Sequence, residues 1–170
     1  EPVSQPIGAP VPAPEYWPMV REICDKYGVL LIIDEVITGF GRTGKMFGIE
    51  HFGIEPDIMT MGKGIISSYL PLAVTSVSDR VAEHFGSEPI WHAVTSAGNP
   101  VSAAAALKTI EIIESENMVE NSRIQGEYLK KGLADLMKKH PVIGDVRGIG
   151  LLIGVELVAD RDTKEKFPKA

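Results

Sequence analysis

Apolar and polar positions along the chain change period several times, and each change marks an element. From Glu15 to Tyr27 the residues Trp17, Val20, Ile23 and Cys24 recur at helical spacing, and Gly28 predicts where that helix ends. Val29 to Ile33 is apolar without alternation and abuts Asp34, the pattern of a parallel strand covered on both faces. After Glu55-Pro56-Asp57, a short strand runs through Ile58 and Met59 into Gly62, and Leu72 to Val77 reads as another. Asp79 is placed to cap a helix through Phe85. Asn99-Pro100 opens a longer one through Glu114, with proline near the first turn, where its missing N–H costs nothing. Glu120 to Lys139 gives a further amphipathic helix. Beyond Pro141, Gly144 to Val158 has shorter strands and more glycine, which predicts a boundary near residue 138, dividing 1–138 from 139–170. Helix follows strand repeatedly, so the fold class is α/β, with ligands expected at the C-terminal ends of the strands.

Composition narrows the function classes. The 170 residues are 44% apolar and 6% aromatic, enough for a folded core. A formal charge of −6 and a pI near 5.2 argue against a general nucleic-acid surface. No apolar run approaches the roughly 18 residues that cross a bilayer. The single cysteine, Cys24, excludes an intrachain disulfide and points to a reducing, cytoplasmic compartment. The chain opens at Glu1-Pro2-Val3, which reads as the end of a strand, and closes soon after the strand-like Val155 to Val158. It is therefore expected to be an internal-to-C-terminal fragment, inactive alone.

The chemistry concentrates in two residues. Asp34 closes the apolar run, and Lys63 follows 29 positions later in Met61-Gly62-Lys63-Gly64. A carboxylate at a buried strand end can hold a protonated pyridine nitrogen, and a lysine in a small-residue loop can form an imine with an aldehyde; pyridoxal phosphate needs that pair. A lone lysine is more often a solvated surface charge, but the flanking glycines at an apolar strand end reverse that preference. Two phosphate-loop patterns compete nearby. Gly39-Phe40-Gly41-Arg42-Thr43-Gly44 satisfies the dinucleotide fingerprint, yet Asp34 to Thr38 separates it from the strand and no long helical pattern follows. Gly39 to Lys45 nearly spells the triphosphate loop of an ATPase, but Met46 stands where a magnesium-binding hydroxyl belongs. His51, His84 and His92 lack metal-ligand spacing, so no metal is indicated.

Taken together, Leu31 to Gly44, Glu55-Pro56-Asp57, Gly62-Lys63-Gly64, His92 to Pro100 and Val146-Arg147-Gly148-Ile149-Gly150-Leu151 resemble the class III aminotransferases of pyridoxal-phosphate fold type I. The resemblance spans nearly the whole chain and is strongest to the omega-amino-acid or amine:pyruvate branch. It implies the second half of a large cofactor domain, a mostly parallel sheet with helices on both faces, plus the start of a small C-terminal α+β domain. The implied reaction is transfer of an amino group from an amine or omega-amino acid to a keto acid, pyruvate above all, in a homodimer with its active site at the interface. A same-family aminomutase or dialkylglycine-type decarboxylase uses the same lysine and aspartate.

The resemblance also implies roles residue by residue. Lys63 is the imine lysine and proton carrier, Asp34 the partner of the pyridine nitrogen, and Val36 the residue packed on the ring face. Thr95 gives its hydroxyl and N–H to the cofactor phosphate, often across the dimer interface. Glu1 matches a glutamate that in some members pairs with a carboxylate-binding arginine. Arg42, in the matched loop, is expected in a dimer or structural salt bridge, and Arg147 is expected to hold the small domain or lie near the substrate entrance. Two positions depart from the pattern: Ile37 replaces a glutamine of the ornithine-type branch, and Ser68 replaces a usual glycine, which strains the loop by about 1 kcal/mol if that position needs positive φ.

Overall fold

The computed structural model describes residues 1–89, 92 and 94–168. Helix α1, Tyr16–Tyr27, ends at Gly28, and strand β1, Ile32–Asp34, follows at once. Strand β2, Ile58–Met61, pairs parallel with β1, matching Ile33 to Met59 and Asp34 to Thr60. Strand β3, Val74–Val77, pairs antiparallel with β2 and completes a sheet of order β1-β2-β3. The link from β2 to β3 holds only the short turn Lys63–Ile65, and with no crossover helix the chain folds back antiparallel.

Helix α2, Asp79–Phe85, starts after Ser78, so Ser78 and not Asp79 occupies the cap position. Helix α3, Pro100–Ser115, is capped by Asn99, whose Oδ1 accepts from the Val101 and Ser102 amides at 3.0 and 3.2 Å. Helix α4, Met118–Lys139, begins two residues earlier than its amphipathic pattern predicts. It packs on a second sheet, the hairpin of β4, Ile143–Ile149, and β5, Leu152–Leu157. The hairpin turn at Gly150, φ +57°, presses its backbone against Gly126 of α4. A Cβ at position 126 would overlap the Gly150 carbonyl, so this approach requires glycine.

Three small apolar clusters hold these parts. Leu31, Ile33 and Ile49 pack with Trp17, Val20 and Cys24, while Ile23, expected on the same helix face, is exposed. Ile65, Ile66 and Ala106, with Ala105 against them, join the Lys63 turn to α3. Val3, Ala9 and Leu152 tie the first residues to the hairpin. Pro2 and Val3 are buried, Glu1 is half-buried, and the three pair with no strand among the described residues, in place of the strand end expected from the sequence.

The first strand departs most from expectation. Ladder pairing covers only Ile32–Asp34, and one face alone is packed: Ile33 is 1% exposed and Ile32 58%. The apolar run is continuous, but the described residues cover only the side that Ile33 faces.

Candidate active site

Parallel pairing brings the C-terminal ends of β1 and β2 side by side, and this juxtaposition builds the site. Asp34 ends β1 on its open face. Its Oδ1 accepts from the Val36 amide at 2.9 Å, which turns the chain and leaves the second carboxylate oxygen without a protein donor among the described residues. Past Thr60, the residue paired with Asp34, β2 runs through Met61 and Gly62 to Lys63. The Val36 side chain lies over Gly62. Lys63 takes a left-handed φ of +40°, then Ile65 and Ile66 bury themselves against α3, so the backbone is fixed while the lysine side chain stays exposed. Neither Asp34 nor Lys63 forms an ion pair among the described residues.

Glu1 joins this strand end. Burial pushes its carboxyl upward, and nearby Asp34 adds to that; Lys63 and a backbone hydrogen bond from Ile37 oppose it. A cleft of about 570 Å³ opens beside the lysine, lined by Lys63, Val36, Phe40, Arg42, Ser67 and Asn121 among others. Thr95 is not part of that lining. It stands in the exposed turn preceding α3. Ala93, in the motif around Thr95, lies outside the described residues. Ser67 and Ser68, at φ +49° and +63°, are both left-handed, so Ser68 does occupy a position suited to glycine.

The glycine-rich loop forms neither phosphate site. Its amides turn inward, Gly41 N–H to the Met46 carbonyl at 3.3 Å and Gly44 N–H to the Gly41 carbonyl at 3.0 Å, and the short turn Gly48–Phe52 follows in place of a long helix. The Arg42 carbonyl accepts from Ser122 Oγ of α4 at 3.1 Å and from the Leu151 amide of the hairpin turn at 3.0 Å. The loop thus fastens the first sheet to the second. Arg147 adds another fastening, donating to the Gly8 carbonyl at 2.7 Å and pairing with Asp145 and Glu156. His51 Nε2 lies 3.1 Å from both Thr43 O and Oγ1, a packing role, and burial lowers its pKa. Among the described residues, no group of His, Cys, Asp and Glu is arranged to hold a metal ion, and no helix is long and apolar enough to cross a membrane.

One residue escaped the sequence reading. Glu35 is wholly buried, and its carboxylate accepts from Thr38 Oγ1 at 2.5 Å, Gly48 N at 2.9 Å and Ile49 N at 2.7 Å. Strand alternation carried the signal, because a residue next to an open-face Asp34 must point to the core face.

The family described as aminotransferase class III matches residues 1–170. The chain belongs to the class III aminotransferases. It is 48% identical over 176 residues to a taurine–pyruvate aminotransferase of Bilophila wadsworthia, covering 100% of this chain and 39% of that protein. It is also 43% identical over 166 residues to a leucine/methionine racemase of Thermococcus litoralis, covering 98% and 37%. An (S)-enantioselective omega-transaminase structure from Thermomicrobium roseum superposes with a TM-score of 0.91 at 46% identity, over 98% of this chain and 38% of that one. This class III aminotransferase chain spans about two fifths of the length of the curated relatives it matches. Its α/β fold is that of part of a fold type I enzyme.

Proposed function

We propose that the full-length enzyme is a ping-pong transaminase that takes nitrogen from an amine or omega-amino acid and gives it to a keto acid, pyruvate above all. The observation that carries this reading is the placement of Asp34 and Lys63 at neighbouring strand ends, where the parallel register sets both on one edge of the sheet. Relatives named as taurine–pyruvate and putrescine–pyruvate aminotransferases support the choice of acceptor.

The donor set fits pyridoxal phosphate. Asp34 keeps one carboxylate oxygen without a protein donor, Lys63 carries an amine without an ion-pair partner, and Val36 offers an apolar surface between them. When bound, that cofactor supplies an aldehyde for amines and a protonated ring that accepts electrons. Asp34 would hold the proton at the pyridine nitrogen. Lys63 Nζ would hold the aldehyde carbon and, once released, take a proton from the substrate carbon and return it to the product. Thr95 would contribute a hydroxyl to the phosphate of the partner's site in a homodimer, which agrees with its exposed turn. Residues 1–138 would belong to the cofactor domain and 139–170 would begin the small domain. The lone thiol of Cys24 supports a cytoplasmic setting.

Borohydride trapping tests the centre of this reading. The full-length protein is incubated with pyridoxal phosphate, reduced, digested and weighed by mass spectrometry. Label confined to Lys63, and lost in Lys63→Ala, is the expected result. Equal labelling of several lysines in a folded protein overturns the reading.

A further inference from the structure

The two ends of the loop between β1 and the turn Gly48–Phe52 converge on one buried side chain. Thr38, at the loop's start, donates to Glu35 Oε2; Gly48, at its end, donates to the same oxygen; and Ile49 donates to Oε1. The loop so closed carries Phe40, whose Cβ takes up the space a side chain at Gly64 would need beside Lys63, and Arg42, whose carbonyl receives donors from α4 and from the hairpin turn. Phe40 also belongs to the cluster that anchors Ile65 and Ile66. A path of direct contacts therefore runs from the Glu35 carboxylate through the loop to both sides of the cleft.

We infer that Glu35 is a positioning residue: its carboxylate clamps the 39–47 loop as a strut that sets the Lys63 turn and joins it to the second sheet. This rests on the assignment of Lys63 as the cofactor lysine. Glu35 itself is fully buried and does not line the cleft.

The chemistry of the clamp dictates the variants. Three donors converge on two oxygens, so Glu35→Gln keeps one acceptor and turns an NH₂ toward a backbone N–H that it cannot satisfy. Thr38→Val removes one donor at nearly constant volume, whereas Thr38→Ser retains the hydroxyl.

The experiment uses the full-length protein with two readouts. One is tryptic cleavage at Arg42 and Lys45, both exposed and inside the strut. The other is the yield of pyridoxal phosphate trapped on Lys63 by borohydride at limiting cofactor. Glu35→Gln is expected to speed cleavage about tenfold and weaken cofactor retention by a similar factor, the scale of one buried hydrogen bond to a charged group. Thr38→Val should fall between Glu35→Gln and wild type, and Thr38→Ser should restore wild-type behaviour. If Glu35→Gln fails to fold, the Thr38 pair decides: Val equal to Ser in both readouts overturns the inference. If wild type shows no Lys63 adduct, the cofactor reading falls and takes this inference with it. A normal adduct in wild type, with cleavage and trapping unchanged in folded Glu35→Gln, overturns the inference alone.

Discussion

Asp34 and Glu35 are neighbours in sequence and both acids, yet β1 turns them to opposite fates. On the open face Asp34 is exposed and accepts one local N–H, leaving its other oxygen without a donor among the described residues. On the closed face Glu35 is fully buried and spends both oxygens on three internal donors. A carboxylate satisfied by the fold holds the fold, and one left incomplete is available for chemistry. The contrast is sharpest when each is removed. Asp34→Ala is expected to lower transamination kcat about a thousandfold, within the range of a lost electrostatic and proton-holding group, while the urea midpoint stays within error of wild type. Glu35→Ala is expected to destabilise by about 3 kcal/mol, because it strands three buried donors, and chemical denaturation would register that before any assay of turnover. If Asp34→Ala destabilises as much as Glu35→Ala, the division between the two faces is wrong.

Part of the fold is legible in the sequence. The strand that ends at Asp34 and the glycine-flanked turn at Lys63 follow from local pattern, and Asn99-Pro100 specifies its helix start through local capping alone. Other features depend on contacts the chain order hides. The reversed direction of β3 follows from the absence of a crossover helix, and the one-sided packing of β1 follows from which elements cover it. The glycine-rich loop looks like a phosphate cradle, and its sequence context already argued against one; what the sequence hides is that Gly41 and Gly44 serve close approach to α4, with the Gly41 and Gly44 amides satisfied inside the loop. The clamp at Glu35 joins residues up to fourteen positions apart, beyond what periodicity reads.

A third acid extends the contrast into pH. Asp57 grips the other end of β1, accepting from the Leu31 amide at 2.8 Å and pairing with Arg21 at 2.9 Å and with Arg80. Burial pushes its carboxyl up, but the Leu31 amide and the two guanidiniums outweigh that and hold it down at about 2. Glu35 has neutral donors and no cation in its clamp, so burial prevails and its carboxyl is raised. The signs follow. Asp57 contributes stability that is complete above its unfolded value of 3.8 and is lost as pH falls through about 2. Glu35 favours the folded state most below its unfolded value of 4.5, and that contribution declines as pH rises through its raised value. Urea unfolding across pH 2 to 7 should show Asp57→Asn flattening the acid limb and Glu35→Gln flattening the decline above about pH 4.5. Flattening of the same limb by both variants would contradict the assignment of causes.

The smallest expected effect lies beside the lysine. Of the seven non-glycine residues with positive φ among those described, Lys63, Ser67 and Ser68 lie within one six-residue stretch. The closed face of β1 shows no such concentration. Left-handed backbone costs an L-residue about 1 kcal/mol relative to glycine, partly offset by glycine's greater freedom when unfolded. Lys63 is the proposed cofactor lysine and is left in place, while Ser68 forms no side-chain hydrogen bond among the described residues and is exposed. Ser68→Gly should therefore raise stability by about 0.5 kcal/mol, with Ser68→Ala giving no gain, as read from paired denaturation curves. Should Ser68→Gly destabilise instead, the serine hydroxyl serves the loop in the full-length enzyme, and strain on the open side would have to be assigned to Lys63 and Ser67 alone.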